Sequence, residues 1–114
     1  LARHKLMDIL CNYAGYRKCV PILVFDAYRV KGAGREQETW HNLHVIYTRE
    51  AETADMFIER ATHELAKNHR VRVVSSDGAE QIIILGNGAL RVSARAFERE
   101  VRAVEAEIRE FLDQ

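Results

Sequence analysis

Apolar positions along this chain recur with two different periods, and acidic residues gather where one period gives way to the other. Leu6, Ile9, Leu10 and Tyr13 share one helix face, which predicts a helix over residues 1–15 with Gly15 as its C-cap. The chain opens Leu1-Ala2-Arg3-His4-Lys5-Leu6, without a Met and without a capping residue ahead of this pattern. The expectation is therefore a helix entered part-way along. An apolar, β-branched run predicts a buried strand over residues 20–26, with Pro21 tolerated near its start. Residues 27–42 contain Lys31-Gly32-Ala33-Gly34-Arg35 and a polar stretch to Asn42, and read as a long loop. Residues 43–48 (Leu43-His44-Val45-Ile46-Tyr47-Thr48) read as a second strand.

Ala54, Phe57, Ile58, Ala61 and Leu65 form the apolar stripe of a helix over residues 51–68. A third strand is expected over 70–75, then a short helix over 78–85 that ends at Gly86-Asn87-Gly88. From about residue 89 to 112, Leu90, Ala94, Phe97, Val101, Val104, Ile108 and Phe111 alternate spacings of four and three, a heptad seam. It predicts a long helix packed on the sheet or on the first helix, with a coiled-coil dimer as the lesser alternative. Glu98 with Arg102 and Glu105 with Arg109 are spaced for ion pairs on the helix surface. Strands alternating with helices predict an α/β fold with a mainly parallel sheet.

Composition narrows the class. With 114 residues, 47% hydrophobic and 30% charged, the chain reads as one ordinary globular domain over 1–114 rather than a disordered segment. A formal net charge of zero excludes a uniformly basic nucleic-acid coat, while leaving room for a locally basic groove. No apolar run reaches the length of a membrane span and no signal peptide is visible, so a cytoplasmic protein without membrane contact is expected. Cys11 and Cys19 make no CxxC and no Cys/His cluster, and read as small core residues. The five histidines (His4, His41, His44, His63 and His69) lack HExxH or another metal-binding spacing. Gly86-Asn87-Gly88 lacks the lysine and spacing of a phosphate loop and reads as a cap and turn.

The candidate chemistry lies in the carboxylates. Asp26 closes the first strand, Glu52 and Asp55 sit at the start of the following helix, and Asp77 follows the third strand. Carboxylates at the C-terminal ends of strands face the crevice where α/β sheets bind ligands. Helix capping and the helix dipole also account for acids at such places, one at a time. Together on one sheet edge, they suit a hard divalent cation, Mg²⁺ or Mn²⁺, and phosphodiester hydrolysis. Lys31, Arg35, Arg91 and Arg95 are the candidates for contacts with a phosphate backbone.

Several segments occur in a telling order: Val24-Phe25-Asp26-Ala27-Tyr28-Arg29-Val30-Lys31-Gly32, Val45-Ile46-Tyr47-Thr48, Glu52-Thr53-Ala54-Asp55, Ser75-Ser76-Asp77 and Gly86-Asn87-Gly88-Ala89-Leu90-Arg91-Val92-Ser93-Ala94-Arg95. Together they resemble the YacP-like NYN domains, a bacterial branch of the PIN-like nucleases. The resemblance implies a PIN-like three-layer α/β fold and a metal-dependent endoribonuclease acting on mRNA, with translating ribosomes as a partner. It makes Asp55 and Asp77 the strongest acidic-site residues, with Asp26 and Glu52 supporting the metal or its waters. The family opens with a strand ending in Asp-Gly-Tyr-Asn, which has no counterpart here; Asn12-Tyr13 lies in the first helix. The resemblance thus implies a partial domain with its first strand missing and its acidic site incomplete. Homo-oligomers through an exposed sheet edge or the last helix are then expected. A non-catalytic RNA- or ribosome-binding module is the alternative.

Overall fold

A computed structural model describes residues 2–26, 37–49, 52–75, 80–86 and 90–114. Its elements run α1 (Ala2–Arg17), β1 (Val20–Phe25), β2 (Gln37–Trp40), β3 (Leu43–Tyr47), α2 (Ala54–Leu65), β4 (Val71–Ser75), β5 (Glu80–Leu85), β6 (Arg91–Ser93) and α3 (Ala94–Leu112). The strands form one sheet in the order β2-β3-β1-β5-β4-β6. The fold is α/β, and α1 and α3 cover one face while α2 covers part of the other, giving three layers compatible with a PIN-like fold. The sheet is mixed, not mainly parallel as expected. β1 runs parallel to β3 and β4 to β6, but β5 lies antiparallel to both β1 and β4, and β2 is antiparallel to β3.

The central correction is β5, expected as a short helix. A helix would spread Ile82, Ile83 and Ile84 around its circumference. As a strand the same run sends Ile83 to the α2 side and Ile82 and Ile84 to the α1/α3 side, with all three buried. Each burial is worth about 2 kcal/mol, and β-branched side chains suit the pleated geometry. Two smaller corrections concern the sheet's edges. β2 falls inside the expected loop of 27–42, and β6 takes the first residues assigned to the last helix.

The helices end where capping chemistry allows. α1 runs past Gly15, closing when Lys18 turns to a φ of 54° and the Cys19 N–H reaches the Ala14 carbonyl at 3.1 Å. Thr53 caps α2, its hydroxyl accepting the Met56 N–H at 3.1 Å, and Ser93 caps α3 by accepting the Ala96 N–H at 3.1 Å. Phe97, Val101 and Val104 of the heptad seam are buried against α1 and the sheet, whereas Leu90 and Phe111 stay exposed. The Glu98–Arg102 pair closes at 2.5 Å. Cys19 is buried and Cys11 half-buried. Among the described residues, no helix is long and apolar enough to cross a membrane.

A cluster of charge lies beneath the α1/α3 layer. Arg72 of β4 donates to Glu100 of α3 at 2.6 Å, and the Tyr13 hydroxyl of α1 donates to the same carboxylate oxygen at 2.5 Å. Burial pushes the Glu100 carboxyl up, but the bonds and charge of Arg72 together with the Tyr13 bond outweigh it and hold the group below its ordinary value. Burial and the neighbouring Glu100 push the Tyr13 hydroxyl well above its usual range.

Candidate metal and phosphodiester site

Strand direction determines which residues can meet. β1, β3 and β4 point the same way, so their C-terminal ends share one end of the sheet with the first residues of the reversed strand β5. Asp26 follows β1, Thr48 follows β3, and Gln81 of β5 lies in register with Val24. The Thr48 N–H donates to the Phe25 carbonyl at 2.9 Å, extending the β1–β3 ladder by one bond and holding the chain close as it leaves for α2.

The start of α2 is then brought against this end. One oxygen of the buried Asp26 carboxylate accepts the N–H of Ala54, the first residue of α2. With Thr53 accepting the Met56 N–H, two side chains satisfy N–H groups that the helix leaves without internal partners. Asp26 also gains from the positive end of the helix dipole. The next residue, Asp55, is exposed, and one of its oxygens accepts a hydrogen bond from the Gln81 carboxamide. Asp26 and Asp55 are therefore both anchored at the first turn of α2, and the donors shown to reach them are an amide N–H and a carboxamide, both uncharged.

The other candidates divide. Glu52 lies at the same end but its carboxylate is held by Arg60 through bonds of 2.9 and 3.2 Å, and the Arg60 guanidinium also sits 5.3 Å from the Phe57 ring centroid. Arg91 is exposed on β6 and donates to the Ser75 hydroxyl at 3.1 Å, at the end of β4. Arg95 is exposed on the first turn of α3. Asp77, Lys31 and Arg35 lie outside the described residues. Beside Glu52 runs a groove of about 680 Å³, lined by Tyr47, Thr48, Arg49, Met56, Phe57 and Arg60 among others. A second cavity of about 510 Å³, between α1 and α3, is lined by none of the candidate carboxylates.

Sequence reasoning passed over Gln81, because the expected helix placed it on no sheet edge. Its signal was a lone carboxamide directly before three isoleucines.

The carboxylate and carboxamide oxygens here are hard donors of the kind that Mg²⁺ and Mn²⁺ prefer. Among the described residues, no three His, Cys, Asp or Glu side chains come together as a group able to hold a metal ion. What the described residues offer is a pair of oriented carboxylates, chemically suited to a cation that takes its remaining ligands from water or substrate.

A family model for the YacP-like NYN domain matches residues 1–114. The uncharacterized protein YacP of Bacillus subtilis (strain 168) is 43% identical over 108 residues, covering 94% of this chain and 63% of that protein. The chain thus spans less than two thirds of the length of that relative. No solved structure matches.

Proposed function

Because this chain belongs to the YacP-like NYN domain family, we propose that it acts in a metal-dependent endoribonuclease. Membership supports a nuclease, RNA-related function, as NYN domains are generally nucleases. The finer reading rests on one observation: Asp26 and Asp55 converge at the start of α2, each oriented by an uncharged donor.

In this reading Asp26 and Asp55 hold Mg²⁺ or Mn²⁺, with Asp77 as a further carboxylate and Glu52 in support. The ion supplies Lewis acidity and neutralises charge on the leaving oxygen of the phosphodiester. Asp26, buried and pinned to the helix backbone, sets where one carboxylate stands. Asp55, exposed to solvent, is the one that substrate and water can approach. Arg91 and Arg95, with Lys31 and Arg35, contact the RNA backbone and position the strand. The substrate is mRNA, reached on translating ribosomes.

The test is cleavage of an end-labelled RNA by the intact protein in Mn²⁺ or Mg²⁺, with EDTA as control. Asp55→Asn and Asp26→Asn each lower the rate by more than about 100-fold. Asparagine still accepts the Ala54 N–H, so the fold survives Asp26→Asn. Unchanged cleavage in both variants, or cleavage that resists EDTA, overturns the reading. RNA binding that is steep in salt, indifferent to metal and without cleavage marks a non-catalytic binding module instead.

A further inference from the structure

Gln81 is 8% exposed, within a strand whose next three residues are buried isoleucines. Burying a carboxamide is costly unless it is hydrogen-bonded. Its Nε2 donates to an oxygen of Asp55, whose residue is itself exposed at the start of α2. A side chain that served packing alone would be apolar at this position, as Ile82, Ile83 and Ile84 are. The position also matters: Gln81 lies opposite Val24, so the carboxamide rises beside the strand that ends at Asp26.

The kind of donor is informative as well. Arg60 holds Glu52 in the same neighbourhood with a full positive charge, and so neutralises it. A carboxamide can fix a carboxylate in place while leaving its negative charge intact. That distinction suits a carboxylate meant to meet a cation, since outer-sphere partners orient a ligand and commonly change metal affinity by about 10–100-fold when removed.

We propose that Gln81 is a positioning residue that presents the Asp55 carboxylate, still charged, to a divalent cation shared with Asp26. The proposal rests on the metal-site reading above. It concerns orientation, so Gln81 itself touches neither metal nor RNA.

The experiment measures Mn²⁺ binding to the intact protein by loss of the free-ion electron paramagnetic resonance signal, without RNA, alongside thermal melting in EDTA. Gln81→Met keeps the length and removes the donor. The expected result is a dissociation constant raised by about 10-fold or more, with melting in EDTA unchanged or higher. Should Gln81→Met fail to fold, Gln81→Asn keeps the amide but shortens its reach by one methylene, and the same weakening is expected. The deciding arm is the Asp55→Ala background, where adding Gln81→Met changes Mn²⁺ binding no further, as expected of a residue that acts through Asp55. Unchanged affinity in a folded Gln81 variant overturns the proposal, and so does an equal loss with or without Asp55. Wild-type protein that binds no Mn²⁺ overturns the metal-site reading and this proposal together, which separates the two failures.

Discussion

Two polar clusters lie against the sheet, one on β4 and one at the end of β1 and β5, and they treat charge in opposite ways. Beneath α1 and α3, the Arg72 guanidinium meets the Glu100 carboxylate at 2.6 Å, Tyr13 adds a bond to the same oxygen, and the Phe97 ring centroid lies 5.9 Å from the guanidinium. This cluster joins α1, β4 and α3, and its charges cancel. At the end of the sheet beside α2, the donors shown to reach Asp26 and Asp55 are uncharged. An ion pair closes a carboxylate to other cations, whereas an uncharged donor orients it and leaves it open to one.

The largest effect that breaks the comparison is on the first cluster. Arg72→Met leaves Glu100 without its counter-ion in a half-buried setting. The expected loss is about 2–3 kcal/mol in urea unfolding, toward the low end for a buried pair because Glu100 can recover water. The Arg72 Nε is also buried without a partner, so part of the native arrangement is already costly. Arg72→Met combined with Glu100→Leu removes both charges and is expected to recover most of the loss, since an apolar replacement of a whole buried pair is often neutral. A double variant as unstable as the sum of the single ones would show that the cluster is not a coupled unit. Asp55→Asn, in the second cluster, is expected to change stability by under about 0.5 kcal/mol while abolishing cleavage.

Acid separates the clusters more finely. Glu100 is held below its ordinary value near 4.5, so its folded form favours ionisation. The stability it adds is complete above that value and is lost as pH falls through the lower folded value. The stability gap between wild type and Glu100→Gln is therefore expected to narrow progressively as pH falls below the ordinary value of 4.5. A gap that stays constant as pH falls would mean that Glu100 contributes by shape alone.

Tyr13→Phe removes the hydrogen bond donated to Glu100 and the longer one accepted from Arg72 at 3.4 Å, and keeps the ring against Phe97, whose centroid lies 5.1 Å away. A loss of about 1–2 kcal/mol is expected. In alkali the raised Tyr13 value acts the other way from Glu100: its contribution is complete below about 10 and lost as pH rises further.

How legible these regions were differs for a physical reason. β1, β3, β4 and α2 carry strong periodic patterns because their burial follows the element itself, and their placement matched the pattern to within a few residues. The burial of Asp26 at the end of β1 follows from the same strand pattern. β2 gave no signal because three of its four residues are exposed, so no alternation marks it. β5 was misread because a short apolar run reads as helix or strand until its neighbours are known. Gln81 was lost with it. Arg72 and Glu100 are 28 residues apart, and nothing in either local segment announces their pairing.

The smallest effect concerns Glu52, which stands between the two cases. It lies at the acidic end of the sheet, yet Arg60 holds it at 2.9 Å as Arg72 holds Glu100. Unlike that pair, Arg60 is largely exposed, so the interaction is screened and contributes little to stability. Arg60→Ala is expected to cost under about 0.5 kcal/mol. It also frees a negative charge at the same end of the sheet as Asp26 and Asp55. If these carboxylates hold a cation, Mn²⁺ affinity is then expected to rise by no more than about 5-fold, since a solvent-screened charge in the neighbourhood is worth about 1 kcal/mol or less. A fall in affinity would instead mean that Arg60 holds Glu52 in a position the cation needs. Glu52 would then belong with Asp26 and Asp55 despite its neutralised charge, and the nature of the donor would no longer separate structural carboxylates from functional ones in this fold.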